Sequence, residues 1–212
     1  IIEWQDANNV TAESLKPGQY SSFMLGIFDQ WISKHDYNKI WIQLFHSLIG
    51  NCLGAPATLC LYNQNCGRCL AIEHNGDVYS CDHYVFKDYL LGNIKNNNFV
   101  ELMNTRTHQI FSTYKTNLPK GCNRCQYISF CYGGCPKHRS KQFDIPENYL
   151  CNDYKLFFDL TIPTFKNMAN CVKENMPINP NGPTGITSIN NRRNDRCSCG
   201  SGKKKKACCA NL

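Results

Sequence analysis

Cysteine is the residue type through which this chain can do the most chemistry, because 15 of its 212 residues are cysteines. Four of them lie in the stretch GCNRCQYISFCYGGC, with the spacing C-x2-C-x5-C-x3-C. A C-x2-C pair suits tetrahedral zinc as well as an iron–sulfur cluster, so the pair alone does not choose between them. An odd number of cysteines in a chain of this length argues against a small secreted disulfide scaffold. We therefore expect metal or cluster ligation in a reducing cytoplasm.

The number of cysteines in the middle of the chain favours clusters over a single zinc site. One zinc site uses four thiolates, whereas two clusters use eight. Cys52, Cys69 and Cys171 are expected to be free, buried thiols rather than ligands. The alternative is that Cys69 replaces Cys66 as a ligand. The nine cysteines between residues 60 and 151 are Cys60, Cys66, Cys69, Cys81, Cys122, Cys125, Cys131, Cys135 and Cys151.

From Cys66 onward the cysteines follow a more specific pattern. It reads C-x9-G-x4-C at Cys66, Gly76 and Cys81, then C-x2-C-x5-C-x3-C from Cys122, and finally Cys151. This pattern resembles the SPASM domain, the auxiliary-cluster extension of certain radical S-adenosylmethionine enzymes. The segments IEHNGDVYSCDHYV, PATLC and CYGGCPKHR resemble the anaerobic sulfatase-maturating enzymes in particular. The resemblance covers about residues 10–175.

The resemblance implies two [4Fe–4S] clusters with crossed ligands. One cysteine of the local run then serves the distant cluster, as happens in two-cluster ferredoxins, and cluster formation becomes part of folding. The ligands implied for the first cluster are Cys60, Cys66, Cys81 and Cys135, and those implied for the second are Cys122, Cys125, Cys131 and Cys151.

The resemblance also implies an activity and a catalytic base. Sulfatase maturases oxidise a cysteine or serine of a sulfatase polypeptide to Cα-formylglycine. A deoxyadenosyl radical removes a Cβ hydrogen, and the surplus electron leaves through the auxiliary clusters. Asp82 follows the ligand Cys81 as the family's general base does, and would take the proton from the substrate's hydroxyl or thiol. His83 is the alternative base, although a surface or ligand-supporting histidine is the favoured interpretation.

The end of the chain carries a second cysteine motif, C-x-C-x8-C-C. It resembles the SEC-C zinc motif, and four thiolates in so short a stretch suit one tetrahedral zinc. Seven basic residues and one acidic residue follow Pro180, out of a net charge of +7, so the rest of the chain is nearly neutral. We therefore expect a solvated basic tail and no nucleic-acid partner, with docking of the tail to an acidic partner or to nucleic acid as the alternative. The zinc ligands are Cys197, Cys199, Cys208 and Cys209.

A radical S-adenosylmethionine enzyme needs a C-x3-C-x2-C loop, and this sequence has none. Cys131-x3-Cys135 comes nearest, but His138 stands where the third cysteine would be. We expect the chain to be the C-terminal part of a longer maturase and to be inactive alone. S-adenosylmethionine and a third [4Fe–4S] cluster would belong to the N-terminal part. A stand-alone accessory protein is the alternative.

The helix and strand patterns of the sequence predict an α/β fold class for the elements that position these residues. We expect the last elements of a partial TIM-like barrel at 1–50, an irregular α+β SPASM domain at 51–176, a flexible linker at 177–195, and the zinc motif at 196–212. Apolar periodicity predicts a helix over 10–34, with Phe23 and Trp31 on its buried face, and alternation predicts a strand over 39–45. No apolar run is long enough to span a membrane.

Within the SPASM region, Asn75-Gly76 lies between two alternating runs and predicts a β-hairpin, with Cys81 at the exit of its second strand. Residues 98–114 predict one or two short helices. Residues 149–175 predict a mostly helical segment that breaks before Pro163.

Two rival functions remain open from sequence. One is another SPASM-type enzyme that modifies a different peptide or protein. The other is a zinc-binding interaction module without redox chemistry. For the sulfatase maturase, the expected partners are a sulfatase polypeptide and an electron-acceptor protein, with no membrane.

Overall fold

The computed structural model of the chain describes residues 2–6, 9–139, 147–182 and 204. These form two compact units, one made of the described residues up to Leu59 and from Tyr149 onward, the other of Cys60–Asn148. No helix in these ranges is both long and apolar enough to cross a membrane. The helices are α1 (Gln19–Ser33), α2 (Gln43–Cys52), α3 (Phe99–Met103), α4 (Arg106–Ser112), α5 (Ile128–Cys131) and α6 (Cys151–Lys173), and the strands are β1 (Ala71–Ile72), β2 (Asp77–Tyr79) and β3 (Leu90–Asn93).

The first unit is a helical layer in which α1 and α2 both pack on α6. Aromatic side chains form its core, where Phe28 of α1 lies edge-on to Phe45 of α2, with ring centroids 5.7 Å apart. Phe28 also lies edge-on to Phe165 of α6, at 5.3 Å. Burying such side chains stabilises the unit by about 1.5–3 kcal/mol each.

The helix predicted over 10–34 begins only at Gln19. Gly18 has a φ of 87°, which allows the chain to turn into α1. The carboxylate of Asp153 in α6 accepts hydrogen bonds from the backbone N–H of Gly18 at 3.0 Å and of Ser21 at 2.9 Å. The buried face also differs from the prediction. Trp31 is buried as expected, but Phe23 is 67% exposed.

The strand predicted over 39–45 is wrong, because α2 starts at Gln43 in the middle of it. The side chains before Gln43 do not alternate between buried and exposed positions. Trp41, for example, is 73% exposed. Phe45 and Leu48 are buried instead, at the i, i+3 spacing of one helix face. Packing of this face therefore outweighed a short β-like pattern.

The predicted break before Pro163 is also wrong, since α6 continues through this residue. Proline inside a helix costs about 3 kcal/mol through its missing N–H and its steric clash. Phe157, Phe158 and Phe165 are fully buried on either side of it, while Pro163 itself faces solvent. Burial of these aromatic rings offsets the cost of the proline.

The second unit contains a three-stranded antiparallel sheet in the order β1-β2-β3. The predicted hairpin at Asn75-Gly76 is confirmed, with Ile72 paired to Val78 and Gly76 at a φ of 93°. The side chain of Asn75 accepts a hydrogen bond from the N–H of Asp77 at 2.9 Å, which closes the turn. Cys81 follows β2 by two residues, as expected.

The two short helices predicted over 98–114 are confirmed as α3 and α4. Asn98 caps α3 in a capping box with Glu101, and the hydroxyl of Thr105 caps α4. Phe111 of α4 is buried, and its ring lies 5.1 Å from that of Tyr84. Phe111 thus packs α4 against the 3₁₀ turn at Asp82–Tyr84.

Candidate metal centre

One complete set of predicted cluster ligands meets at a cavity of about 180 Å³ in the unit of Cys60–Asn148. Four thiolates are what a [4Fe–4S] cluster takes, and the cavity offers these four and one more. All eleven cysteines in the described ranges are free thiols. The cysteines that line the cavity are Cys60, Cys66, Cys69, Cys81 and Cys135.

Hydrogen bonds and turns of the local backbone bring three of these thiols to the cavity. Cys60 begins a 3₁₀ turn over Cys60–Tyr62. The N–H of Cys66 donates to the carbonyl of Ser112, at the end of α4, at 3.1 Å. Cys81 continues the direction of β2 in an extended conformation, with a φ of −167°. The sheet and α4 thus fix Cys81 and Cys66, and a local turn positions Cys60.

A left-handed turn brings the fourth thiol, that of Cys135, to the same cavity. Tyr132, Gly133 and Gly134 have φ values of 44°, 75° and 66°. Three consecutive residues in this region reverse the chain directly after α5, which ends at Cys131. Glycine adopts such φ values without steric cost, which explains the CYGGC sequence. The turn therefore sends Cys131 and Cys135 in different directions.

Burial raises the pKa of all four thiols of this set. The pKa values of Cys66 and Cys81 rise to about 12 each. Burial also raises the pKa of Cys60 and of Cys135, where the positive charge of Lys115 opposes the effect. Without a bound metal these thiols are protonated at neutral pH, so a metal that binds them must displace protons.

The predicted base Asp82 lies at the same cavity, next to the predicted ligand Cys81. The thiol of Cys81 lies 3.2 Å from Oδ1 of Asp82, within hydrogen-bond distance for a sulfur donor. The carboxylate is 72% exposed, so a substrate can reach it. His83 lies between this carboxylate and a ligand, with Nε2 at 4.0 Å from Asp82 and Nδ1 at 3.5 Å from Sγ of Cys135. Of the two interpretations for His83, the ligand-supporting one fits this geometry.

His138 was not predicted as a site residue, but it also lines the cavity. Ligand atoms of His83, Cys135 and His138 lie within 4.8 Å of one another. Its only signal in the sequence was its position in CYGGCPKHR, three residues after a ligand.

The second predicted ligand set is distributed over both units. Cys122 lies in the 3₁₀ turn Lys120–Arg124, and the N–H of Cys125 donates to the carbonyl of Cys122 at 3.1 Å. Cys131 is the last residue of α5. These three belong to the unit of Cys60–Asn148, whereas Cys151 is the first residue of α6 in the other unit.

Sequence reasoning missed a buried lysine at the cavity wall. Lys115 is 1% exposed, and its ammonium donates to the carbonyls of Cys60 at 3.1 Å and Leu61 at 2.8 Å. Burial lowers its pKa to about 8, and the charges of nearby cysteines, Cys66 foremost, act against that decrease. The local sequence STYKTN does not distinguish this lysine from a solvated one.

Arg139 is the second buried cation that sequence reasoning missed. It is 8% exposed, and its Nη1 donates to the carbonyl of Asn117 at 3.0 Å. Burial lowers its pKa, an effect opposed by the charges of Cys122 and Cys66, which belong to different predicted ligand sets. The charged end of Arg139 therefore lies near thiols of both sets.

The remaining cysteines differ in their surroundings. Cys171 is buried, as predicted, whereas Cys52 is half-buried. The prediction of a buried thiol is wrong for Cys69, which is exposed and lines the cavity. Its loop position beside Cys66 keeps it in solvent. The predicted zinc ligands Cys197, Cys199, Cys208 and Cys209 lie outside the described residues.

Comparisons with known proteins agree with the geometry of the site. The sequence profile of the SPASM family, described as an iron–sulfur cluster-binding domain, matches residues 60–126. The serine-type anaerobic sulfatase-maturating enzyme of Bacteroides thetaiotaomicron is 40% identical over 154 residues, which is 71% of this chain and 37% of that enzyme. A cysteine-type anaerobic sulfatase-maturating enzyme of Clostridium perfringens is 32% identical over 76% of this chain and 44% of its own length.

Solved structures show the same relationship at the level of the fold. The structure of anSMEcpe with bound AdoMet and the Cp18Cys peptide superposes with a TM-score of 0.68 at 32% identity, over 76% of this chain and 46% of that one. The chain thus spans less than half the length of the relatives it matches. Residues 60–126 therefore match the iron–sulfur cluster-binding domain of the SPASM family, and the chain is similar to part of the anaerobic sulfatase-maturating enzymes.

Proposed function

We propose that this chain is the C-terminal part of an anaerobic sulfatase maturase, which oxidises a cysteine or serine of a sulfatase polypeptide to Cα-formylglycine. The observation that carries the proposal is the cavity that joins four thiols to the exposed carboxylate of Asp82. The 40% identity to a serine-type maturase supports the reaction. The peptides bound to anSMEcpe support a polypeptide substrate, and an electron-acceptor protein is the second proposed partner.

We propose that the chain holds two [4Fe–4S] clusters, and the residues of the first ligand set fit one of them. Soft thiolates are the ligands such clusters require, and the first set lines one cavity. The buried cations Lys115 and Arg139 favour an anionic group beside them. The proposed ligands of the first cluster are Cys60, Cys66, Cys81 and Cys135, and those of the second are Cys122, Cys125, Cys131 and Cys151.

Asp82 is the proposed general base. Oxidation of a substrate CH–OH or CH–SH group to the aldehyde level removes one hydrogen atom, one proton and one electron. Asp82 accepts the proton, since its carboxylate is exposed at the cavity and can approach a peptide side chain. When bound, the clusters supply a one-electron acceptor next to this base. His83, 4.0 Å from the carboxylate, helps to hold its orientation.

The hydrogen-atom abstraction needs S-adenosylmethionine and a third [4Fe–4S] cluster. We propose that both bind outside this chain, because its sequence lacks C-x3-C-x2-C and it spans only 37% of the serine-type relative. In this division, residues 1–50 complete a partial TIM-like barrel and residues 51–176 form the auxiliary-cluster domain.

For the tail, we propose a linker at 177–195 and a SEC-C zinc site at 196–212. Four thiolates at Cys197, Cys199, Cys208 and Cys209 suit one tetrahedral zinc. Alanine at Cys197 and Cys199 should remove one zinc per chain and leave the iron content unchanged. We also propose a cytoplasmic location, because the ligand thiols must stay reduced.

Anaerobic purification tests the metal assignment. We expect a brown protein with about eight irons and one zinc per chain. Aerobically labile [4Fe–4S] signals should appear in the electron paramagnetic resonance (EPR) spectrum after reduction. A colourless protein with three zincs would support the rival interaction module instead.

A chimaera tests the reaction. In it, this chain replaces the matching C-terminal segment of the B. thetaiotaomicron enzyme. We expect the cluster-loaded chimaera to form formylglycine on a sulfatase peptide, seen by mass spectrometry. A folded, iron-complete chimaera that modifies neither a serine nor a cysteine peptide would favour another SPASM enzyme with a different substrate.

A further inference from the structure

Two positively charged side chains, Lys115 and Arg139, are buried in the unit of Cys60–Asn148. Lys115 is 1% exposed and Arg139 is 8% exposed. Neither Lys115 nor Arg139 forms an ion pair within 4.0 Å with a carboxylate of the described residues. An isolated buried cation is strongly unfavourable, so a fold that keeps two of them needs an anion to offset their charge.

The ammonium group of Lys115 lies at the cavity of the first ligand set. This group donates hydrogen bonds to the carbonyls of Cys60 and Leu61, in the 3₁₀ turn that begins at the proposed ligand Cys60. Lys115 lines the same cavity as the four thiols of this set. The two carbonyls accept from two of its three N–H donors, but they are neutral and do not balance its positive charge.

Arg139 lies close to ligands of both sets. Its Nη1 donates to the carbonyl of Asn117, while its Nε and Nη2 are buried and have no hydrogen-bond partner among the described residues. Its Nη2 packs against Gly133, in the turn between Cys131 and Cys135. A buried guanidinium with two unpartnered nitrogens thus lies at the turn between Cys131 and Cys135, which supply one ligand to each proposed cluster.

We propose that Lys115 and Arg139 are counter-charges of the two auxiliary clusters and raise their reduction potentials. This inference rests on the proposed function, because it requires the clusters. Uptake of one electron makes a cluster more negative by one charge, so a nearby fixed cation stabilises the reduced form more than the oxidised form. In the proposed reaction, that electron comes from the substrate carbon as Asp82 takes the proton.

The test is a redox titration of the full chain after anaerobic cluster loading. Dithionite supplies the electrons, and the EPR signal of the reduced clusters reports the potential. Lys115→Met and Arg139→Gln remove the charges, whereas Lys115→Arg and Arg139→Lys keep them. Lys115→Gln keeps a donor for the carbonyls without the charge. Lys95→Met, at an exposed position of the same unit, is the matched control.

We expect Lys115→Met and Arg139→Gln each to disfavour reduction at least about tenfold. For a one-electron couple this corresponds to a potential more negative by about 59 mV. Lys115→Gln should behave like Lys115→Met if charge is what matters. The charge-keeping variants and Lys95→Met should stay within about threefold of the unchanged protein.

Iron-complete Lys115→Met and Arg139→Gln proteins with unchanged potentials overturn the inference and leave the proposed function intact. If Lys115→Met takes up no cluster, cluster loading of Lys115→Arg and Lys115→Gln decides. Cluster loading in Lys115→Arg but not in Lys115→Gln supports a required positive charge, whereas failure of both means that lysine acts by its shape and overturns the inference. An unchanged chain that binds no [4Fe–4S] cluster removes the proposed function together with the inference.

Discussion

The carboxylate of Asp82 lies directly beside the thiol of Cys81, a proposed cluster ligand, with its Oδ1 3.2 Å from Sγ of Cys81. Adjacent residues need not point the same way. Here the extended backbone at Cys81 and the 3₁₀ turn at Asp82–Tyr84 bring both side chains to one cavity. The proposed base is thus held by the same stretch of backbone as the proposed ligand Cys81.

This arrangement predicts that Asp82→Asn stops formylglycine formation without loss of iron. Asparagine keeps the size of the side chain but cannot accept a proton, and general bases contribute about 10²–10⁴-fold to rates. Turnover of the peptide by the chimaera, followed by mass spectrometry, measures the effect. Asp88→Asn, at an exposed aspartate of the same unit, is the control. An active Asp82→Asn enzyme would remove this residue from the mechanism.

The ligand sets predict selective loss of iron. Cys81→Ala should remove the first cluster and leave about half of the iron, because three thiolates no longer close the site. Cys69→Ala changes a thiol at the same cavity that is not in the proposed set, and should retain all the iron. Iron analysis and EPR spectra distinguish the two variants. Equal losses in both would show that Cys69 is a ligand.

The raised thiol pKa values predict that metal uptake increases with pH. Burial raises the pKa of Cys66 and Cys81 to about 12, so the metal-free thiols are protonated at neutral pH. Because a metal binds the thiolates, uptake releases protons and becomes more favourable as pH rises from 7 to 9. Cobalt(II), without added sulfide, is a suitable probe through its thiolate charge-transfer bands. Equal affinity across this range would contradict the prediction.

The helix cap made by Asp153 predicts a loss of stability. Asp153→Ala removes the acceptor for the N–H groups of Gly18 and Ser21, and should lower the free energy of unfolding by about 1–3 kcal/mol. Glu13→Gln, at an exposed position of the same unit, should change it by less than about 0.5 kcal/mol. Urea denaturation followed by circular dichroism measures both. A cap variant as stable as the control would show that the bonds contribute nothing.

Local patterns predicted those elements whose geometry is set by neighbouring residues. The turn at Asn75-Gly76 and the helices α3 and α4 followed from turn and capping chemistry. The strand expected at 39–45 and the break expected at Pro163 failed. At both sites the burial of aromatic side chains against other helices outweighs local preference.

By itself, the sequence limited the chemistry to metal ions or clusters held by thiolates, because the number and spacing of cysteines restrict which metals can bind and on which residues. Tertiary structure decided the charge around that site. Lys115 and Arg139 carry no local signal, since a basic side chain is solvated or buried according to what the fold packs around it. Burial is a property of contacts between distant segments, and these segments meet only when the chain folds.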